Sequence, residues 1–202
     1  MASAIDVVSF HIYEGLDTAL SGEDRDIDLA FDEIRALFGQ ASFPQREYWQ
    51  TEGNFDFLGI LSARRRAAWR MQFMTRAFAA GVAKVCVMDA SPIEQTAVRA
   101  YIDALPHPFP MFRMSNQVDV IAGRANVFWH PDQPQATHGG VWILWAEAET
   151  GNASVSLPAG RSKAILRQVD GSQSVLQATN GRLTILLRAD AKMAPPVLIL
   201  DR

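Results

Sequence analysis

Three apolar strand-like runs, each followed by a helix-length segment, occupy the first half of this chain, and nothing helical follows them. Ile5–Tyr13 is a short apolar run closed by Glu14-Gly15, the pattern of a strand buried on both faces. Ile27, Ala30, Phe31, Ile34, Leu37 and Phe38 then recur at steps of three and four, the apolar stripe of an amphipathic helix, with Gly39 as its expected C-cap. A second strand is expected over Arg46–Glu52. The helix after it carries Leu61, Ala68, Met71, Met74, Phe78 and Ala79 on one side and ends at Gly81. Val82–Met88 reads as the third strand. Pro92 starts a third helix with Ile93, Ala97, Ala100, Tyr101 and Leu105 on its stripe. A helix in each crossover makes parallel pairing the expected outcome.

From about Met114 the pattern is all-β. Val141–Glu147 reads as a core strand, while Ala153, Val155 and Leu157 alternate with serines as a half-buried one. Asp170-Gly171 and Asn180-Gly181 are hairpin-turn dipeptides. Pro106, Pro108 and Pro110 mark the junction, so residues 1–112 are expected to form an α/β unit and 113–202 an antiparallel β-sandwich. A complete (β/α)8 barrel needs roughly 250 residues, of which residues 5–105 match three-eighths. Two architectures fit: a small open α/β sheet joined to a sandwich, or the last part of a barrel.

Composition narrows the function classes. Of 202 residues, 49% are hydrophobic, enough for a real core. A net charge of −3 argues against a protein that holds nucleic acid by neutralising phosphates. No stretch has the roughly 18 uninterrupted apolar residues of a membrane span, and no export signal is visible, so a soluble chain of open compartment is expected. The single cysteine, Cys86, excludes an internal disulfide and reads as a small core residue. No metal or cofactor is expected.

The strand ends carry the candidate chemistry: His11-Ile12-Tyr13, Trp49-Gln50-Thr51-Glu52-Gly53 and Met88-Asp89-Ala90. In order and spacing, and with the sandwich behind them, they resemble strands six to eight of the (β/α)8-barrel glycoside hydrolases of clan A, which use two glutamates. The resemblance implies a fold, a partial barrel of about three strand–helix units followed by an antiparallel β-sandwich. It also implies that Glu52 is the nucleophile of a retaining O-glycoside hydrolase, with Tyr13 and His11 contacting it or the sugar, and with Asn54 and Asp89 at the mouth. Retaining cleavage needs two carboxyl groups about 5–5.5 Å apart, one attacking the anomeric carbon and one protonating the departing oxygen. The clan's proton donor lies on strand four, usually after an asparagine, and no strand four stands upstream here; Asn54 follows Glu52 and is not that motif. Strand eight of the family often presents a tryptophan, where this chain has Asp89-Ala90-Ser91.

The expected partner is therefore an oligosaccharide or polysaccharide, the chain alone is expected to be incomplete and inactive, and its barrel face calls for self-association or a missing N-terminal barrel portion. Other readings stand beside this one. Glu52 also reads as a solvated or N-capping carboxylate, Tyr13 and His11 as packed strand residues, and Asp89 as a cap for the third helix. A non-catalytic carbohydrate-binding or assembly module would work through Trp129, Trp142 or Trp145, of which the last two alternate onto opposite faces of one strand. Trp49 is a further candidate sugar platform. Arg64-Arg65-Arg66 cannot share one helix face and reads as solvated surface.

Overall fold

The computed structural model describes residues 7–13, 25–40, 47–54, 61–86, 91–105, 111–114, 118–131, 139–147, 151–189 and 195–201. Strands β1 (Val7–Tyr13), β2 (Glu47–Asn54) and β3 (Val82–Val85) form a parallel sheet in the order β1-β2-β3. Helices α1 (Arg25–Gln40) and α2 (Ala63–Ala79) make the two crossovers, and α3 (Pro92–Ala104) follows β3. The three expected strand–helix units are thus present. β3 is shorter than its apolar run. Cys86 still donates its N–H to the Gln50 carbonyl at 2.9 Å, and positions 87–88 lie outside the described residues.

The start of α3 shows how local sequence sets local structure. Ser91 is its N-cap, Pro92 opens the first turn, and Glu94 closes a capping box by accepting from the Ser91 N–H at 3.0 Å. The same carboxylate is fully buried and holds α2 to α3. Arg70 Nε lies 2.6 Å from one of its oxygens and Arg66 Nε 3.2 Å from the other. Burial pushes the Glu94 carboxyl up, but hydrogen bonds from Arg70, Ser91 and Arg66 outweigh it and hold the carboxyl below its usual value. Deeper between the helices the Thr75 hydroxyl donates to Tyr101 Oη at 3.0 Å, and burial raises the tyrosine's pKa.

Helical periodicity was an incomplete guide to burial. One apolar side was expected for the second helix, yet every residue of α2 from Ala67 to Phe78 is buried, Arg70, Gln72, Thr75 and Arg76 included. A single stripe predicts one partner, and α2 is enclosed by several: Phe73 meets Phe31 of α1, Arg70 meets α3, and Arg76 meets the β-rich part. In α1 the opposite holds. Phe31 is buried against Phe10 and Phe73, but Leu37, placed on the stripe, is 66% exposed. Gly39, expected to end the helix, lies inside it, and Ile93 of α3 also points to solvent.

The rest of the chain is antiparallel. Strands β4 (Phe112–Arg113), β5 (Asp119–Ala122), β6 (Ala125–His130), β7 (Gly140–Ala146), β8 (Ala153–Pro158), β9 (Lys163–Gln168), β10 (Gln173–Gln177), β11 (Arg182–Leu187) and β12 (Val197–Asp201) make two sheets. One has the order β10-β9-β12-β7-β6-β4 and the other β11-β8-β5. The expected hairpin dipeptides sit at turns, with Asn180 at φ 50°, Gly181 at 72° and Gly171 at 84°. Asp201, at the chain's last described position, accepts the Arg161 N–H at 3.1 Å and so ties down the turn before β9.

Central strand β7 is buried along its whole length. Trp142 stacks on Trp129 at 5.5 Å, and Trp145 stacks on Phe128 at 5.2 Å with the Arg76 guanidinium 5.3 Å from its ring centre. Trp142 is 0% exposed, Trp145 1% and Trp129 7%. The expectation that these tryptophans present sugar platforms is therefore corrected. Both faces of β7 are covered, one of them by α2, and the Trp129 Nε1–H is spent on the Gly139 carbonyl at 2.6 Å. One continuous core runs from Phe31 and Trp69 through Tyr101 and Met111 to Trp142 and Leu198. Among the described residues no helix is long and apolar enough to cross a membrane.

Candidate active site

The two faces of the parallel sheet differ in chemistry because strand alternation sorts the residues, with one extra residue in β3, between Val82 and Lys84, changing the face there. Val8, Phe10, Gln50 and Val82 point toward the helices, with Phe10 against Phe31 at 6.0 Å. Ser9, His11, Trp49, Thr51, Lys84 and Cys86 belong to the opposite face, which no described helix covers. Ser9, His11, Lys84 and Cys86 are exposed there. Cys86 was expected in the core. It falls instead on the uncovered face, two residues after Lys84, while Val85 between them packs against the core. On this face the Trp49 ring carries the Lys84 ammonium 3.7 Å from its centre, while its Nε1–H donates to Glu47 at 2.8 Å.

At the C-terminal ends of β1 and β2 the register changes. Phe10 pairs with Gln50, but His11 pairs with Glu52, so Thr51 is an extra residue in β2. The Thr51 hydroxyl lies 2.8 Å from the Ser9 hydroxyl across the strands. Beyond the irregularity Ile12 pairs with Gly53 and Tyr13 with Asn54. Four of the five candidate residues thus stand in two rows with the Ile12–Gly53 pair between them, His11 beside Glu52 and Tyr13 beside Asn54, on strands about 4.8 Å apart as neighbouring strands are. The side chains of Tyr13, Glu52 and Asn54 lie outside the described residues, as does Asp89 altogether, so the site is defined by its backbone.

Three features of this corner were not read from sequence: the Thr51 irregularity, the Ser9–Thr51 contact and the Lys84–Trp49 pair. The first has no single-sequence signal. The others needed the pairing register before the residues could be brought together. The sheet's outer strands, β1 and β3, have no further partner strand among the described residues. In a closed (β/α) barrel the uncovered face would be the interior, and the C-terminal strand ends would form the mouth.

No protein-family model matches the sequence, and no curated protein matches it. Similarity is found among solved structures. A family 39 glycoside hydrolase from the gut symbiont Bacteroides cellulosilyticus WH2 matches over 85% of this chain and 38% of its own, at 11% identity and a TM-score of 0.56. N2152 from Neocallimastix frontalis matches over 98% of this chain and 54% of its own, at 13% identity and a TM-score of 0.55. AbfB, a family 51 α-L-arabinofuranosidase from Bifidobacterium longum, matches over 98% and 53%, at 13% identity and a TM-score of 0.51. What is shared is the fold. The chain spans between 38% and 54% of the length of these three proteins, consistent with a partial barrel.

Proposed function

We propose that this chain is the C-terminal portion of a retaining O-glycoside hydrolase, with β1, β2 and β3 as strands six to eight of a (β/α)8 barrel. Glu52 is the nucleophile in this reading. His11 and Tyr13 orient it and contact the sugar, and Asn54 and Asp89 line the mouth. The observation that carries the proposal is the register that sets Glu52 beside His11 at the C-terminal ends of two adjacent parallel strands. That is the end of a barrel at which active sites are built. The glycoside hydrolases among the similar structures support the same reading and imply a carbohydrate substrate.

The chemistry follows from the residue types. An ionised Glu52 attacks the anomeric carbon as the departing oxygen takes a proton, and the glycosyl ester formed is then hydrolysed by water. A tyrosine hydroxyl donating to that carboxylate holds it charged and aimed. The proton donor belongs to strand four and stands outside these residues. Without it general-acid assistance, worth about 100- to 10,000-fold, is missing, and residues 1–202 alone are inactive. Completing the barrel supplies the donor, pairs the edges of β1 and β3, and covers Ser9, His11, Lys84 and Cys86.

The test is to join the chain to the first five strand–helix units of such a barrel and assay hydrolysis of a panel of aryl glycosides. Turnover that Glu52→Gln abolishes, while Glu47→Gln retains it, supports the assignment. Equal turnover in the Glu52→Gln variant overturns it.

A further inference from the structure

Strand β10 ends the six-stranded sheet, and among the described residues no strand pairs with its outer edge. An open edge is a template for a further strand, and proteins ordinarily blunt it with a charge, a bulge or a very short strand. The other outer strands of the two antiparallel sheets do so. β4 has two residues, one of them Arg113; β5 carries Asp119 and a register shift between Val120 and Ala122; β11 carries Arg182. β10 has none of these devices. Its sequence, Gln173-Ser174-Val175-Leu176-Gln177, holds no charge and no proline, and its pairing with β9 runs without a shift.

The hydrogen bonds at the two ends of that pairing decide which residues face out. Gln168 donates its N–H to the Ser172 carbonyl, and Ala178 donates its own to the Ser162 carbonyl, each at 2.9 Å. Bonded and non-bonded pairs alternate along an antiparallel ladder, so the even-numbered residues of β10 bond to β9. The N–H and C=O groups of Gln173, Val175 and Gln177 therefore point to the open edge. Their side chains share one face. On it Val175, 62% exposed, stands opposite Ile165, and Ile165 stands opposite Leu200. This apolar row stops at the edge with Val175 in solvent.

The surface that matches this edge is the same edge turned around. Its outward groups are symmetric about Val175, with a glutamine at either end. Laid antiparallel on a second copy, Val175 meets Val175 on a twofold axis, and each Gln173 meets a Gln177. All these pairs are of the hydrogen-bonded kind, giving about six ladder bonds. The row Leu200–Ile165–Val175 continues into the same row of the other copy. Lys163 and Arg167 stand one strand back, behind Gln177 and Gln173, so glutamines separate the like charges. A patch that pairs with itself closes as a dimer and goes no further.

We propose that two copies of this chain pair antiparallel through β10, about a twofold axis at Val175, joining their six-stranded sheets. This surface is separate from the uncovered face of the parallel sheet, and the proposal is independent of the hydrolase reading. One strand edge is a small interface, so association falls in the weak range, with a dissociation constant of roughly 10–1,000 µM.

The experiment uses the 202-residue chain carrying Cys86→Ser, so that the exposed native thiol does not compete. Val175→Cys in that background is expected to oxidise to a disulfide-linked dimer. Hydrogen-bonded antiparallel neighbours have Cα atoms about 5.5 Å apart, within disulfide reach. Gln173→Cys is the control, because the two copies of position 173 lie roughly 14 Å apart in this register and should stay unlinked. Sedimentation equilibrium should show a reversible dimer that Val175→Lys weakens at least about tenfold, by setting like charges opposite each other. Leu186→Lys, an exposed position on the other sheet, should leave dimerisation unchanged. Equal crosslinking at positions 173 and 175 overturns the proposal. So does a dimer that Val175→Lys leaves intact, or a wild-type chain that stays monomeric up to about 1 mM.

Discussion

The Ser9 and Thr51 hydroxyls meet at 2.8 Å across two parallel strands, at the point where one extra residue in β2 brings Glu52 level with His11. A parallel ladder without that extra residue would set His11 beside Thr51 and shift Glu52 by one position, which reverses the face on which a strand residue sits. The hydroxyl contact thus belongs to the device that aligns the candidate site. Thr51→Val keeps the side-chain shape and removes the contact. It is expected to cost about 0.5–1.5 kcal/mol in urea denaturation, and Thr51→Ser less. Equal stability of all three proteins would show that the contact does not hold the register.

Breaking the link between α2 and α3 should cost more. Glu94→Ala leaves the buried Arg70 guanidinium without its carboxylate, a change worth about 3–5 kcal/mol in denaturant midpoint experiments. It also removes the capping box of α3. A loss below 1 kcal/mol would mean that Arg70 finds another partner.

Stability should fall on the acid side in a way that Glu94 controls. Its carboxyl lies below its usual value when folded, because the hydrogen bonds from Arg70, Ser91 and Arg66 outweigh burial. A depressed folded pKa contributes stability fully above the unfolded value, about 4.3, and loses it as pH drops through the lower folded value. Denaturation midpoints followed from pH 6 to pH 3 should therefore decline more steeply in the wild-type chain than in Glu94→Gln. Parallel curves would contradict this.

Gly123 tests the approach of two β segments. Its φ is +71°, and a Cβ there would lie 2.5 Å from the Asn152 carbonyl oxygen, which is backbone and cannot swing aside. Gly123→Ala is expected to destabilise by about 2 kcal/mol, from left-handed strain and the clash together. A change within 0.5 kcal/mol in either direction would show that the turn rearranges freely.

Sequence was informative wherever a residue acts through its own neighbours. The runs behind β1 and β2, the helix start at Pro92, and the Asn180-Gly181 turn all stand where local chemistry puts them, although the cap of that helix is Ser91 and not Asp89. It was less informative about what covers a surface. Periodicity gave α2 one buried side because a single stripe cannot announce several partners, and so Arg70 and Arg76 were not seen as buried. Alternation set Trp142 and Trp145 on opposite faces of β7 but could not show that both faces are covered. Cys86 is small and sits in an apolar run, which reads as core, whereas strand pairing turns it to the uncovered side. At the candidate site the residue types were legible from the strand ends. Their alignment was not, because it depends on the Thr51 irregularity.

The proposed role of Glu52 as nucleophile is tested most directly by trapping it. In a completed barrel, an activated 2-deoxy-2-fluoro glycoside forms a slow-turning glycosyl ester on the attacking carboxylate, and peptide mass spectrometry locates it. The added mass is expected on the peptide containing Glu52, and to vanish in Glu52→Gln. Covalent label on a different carboxylate, or hydrolysis that proceeds with Glu52 never modified, would contradict the account.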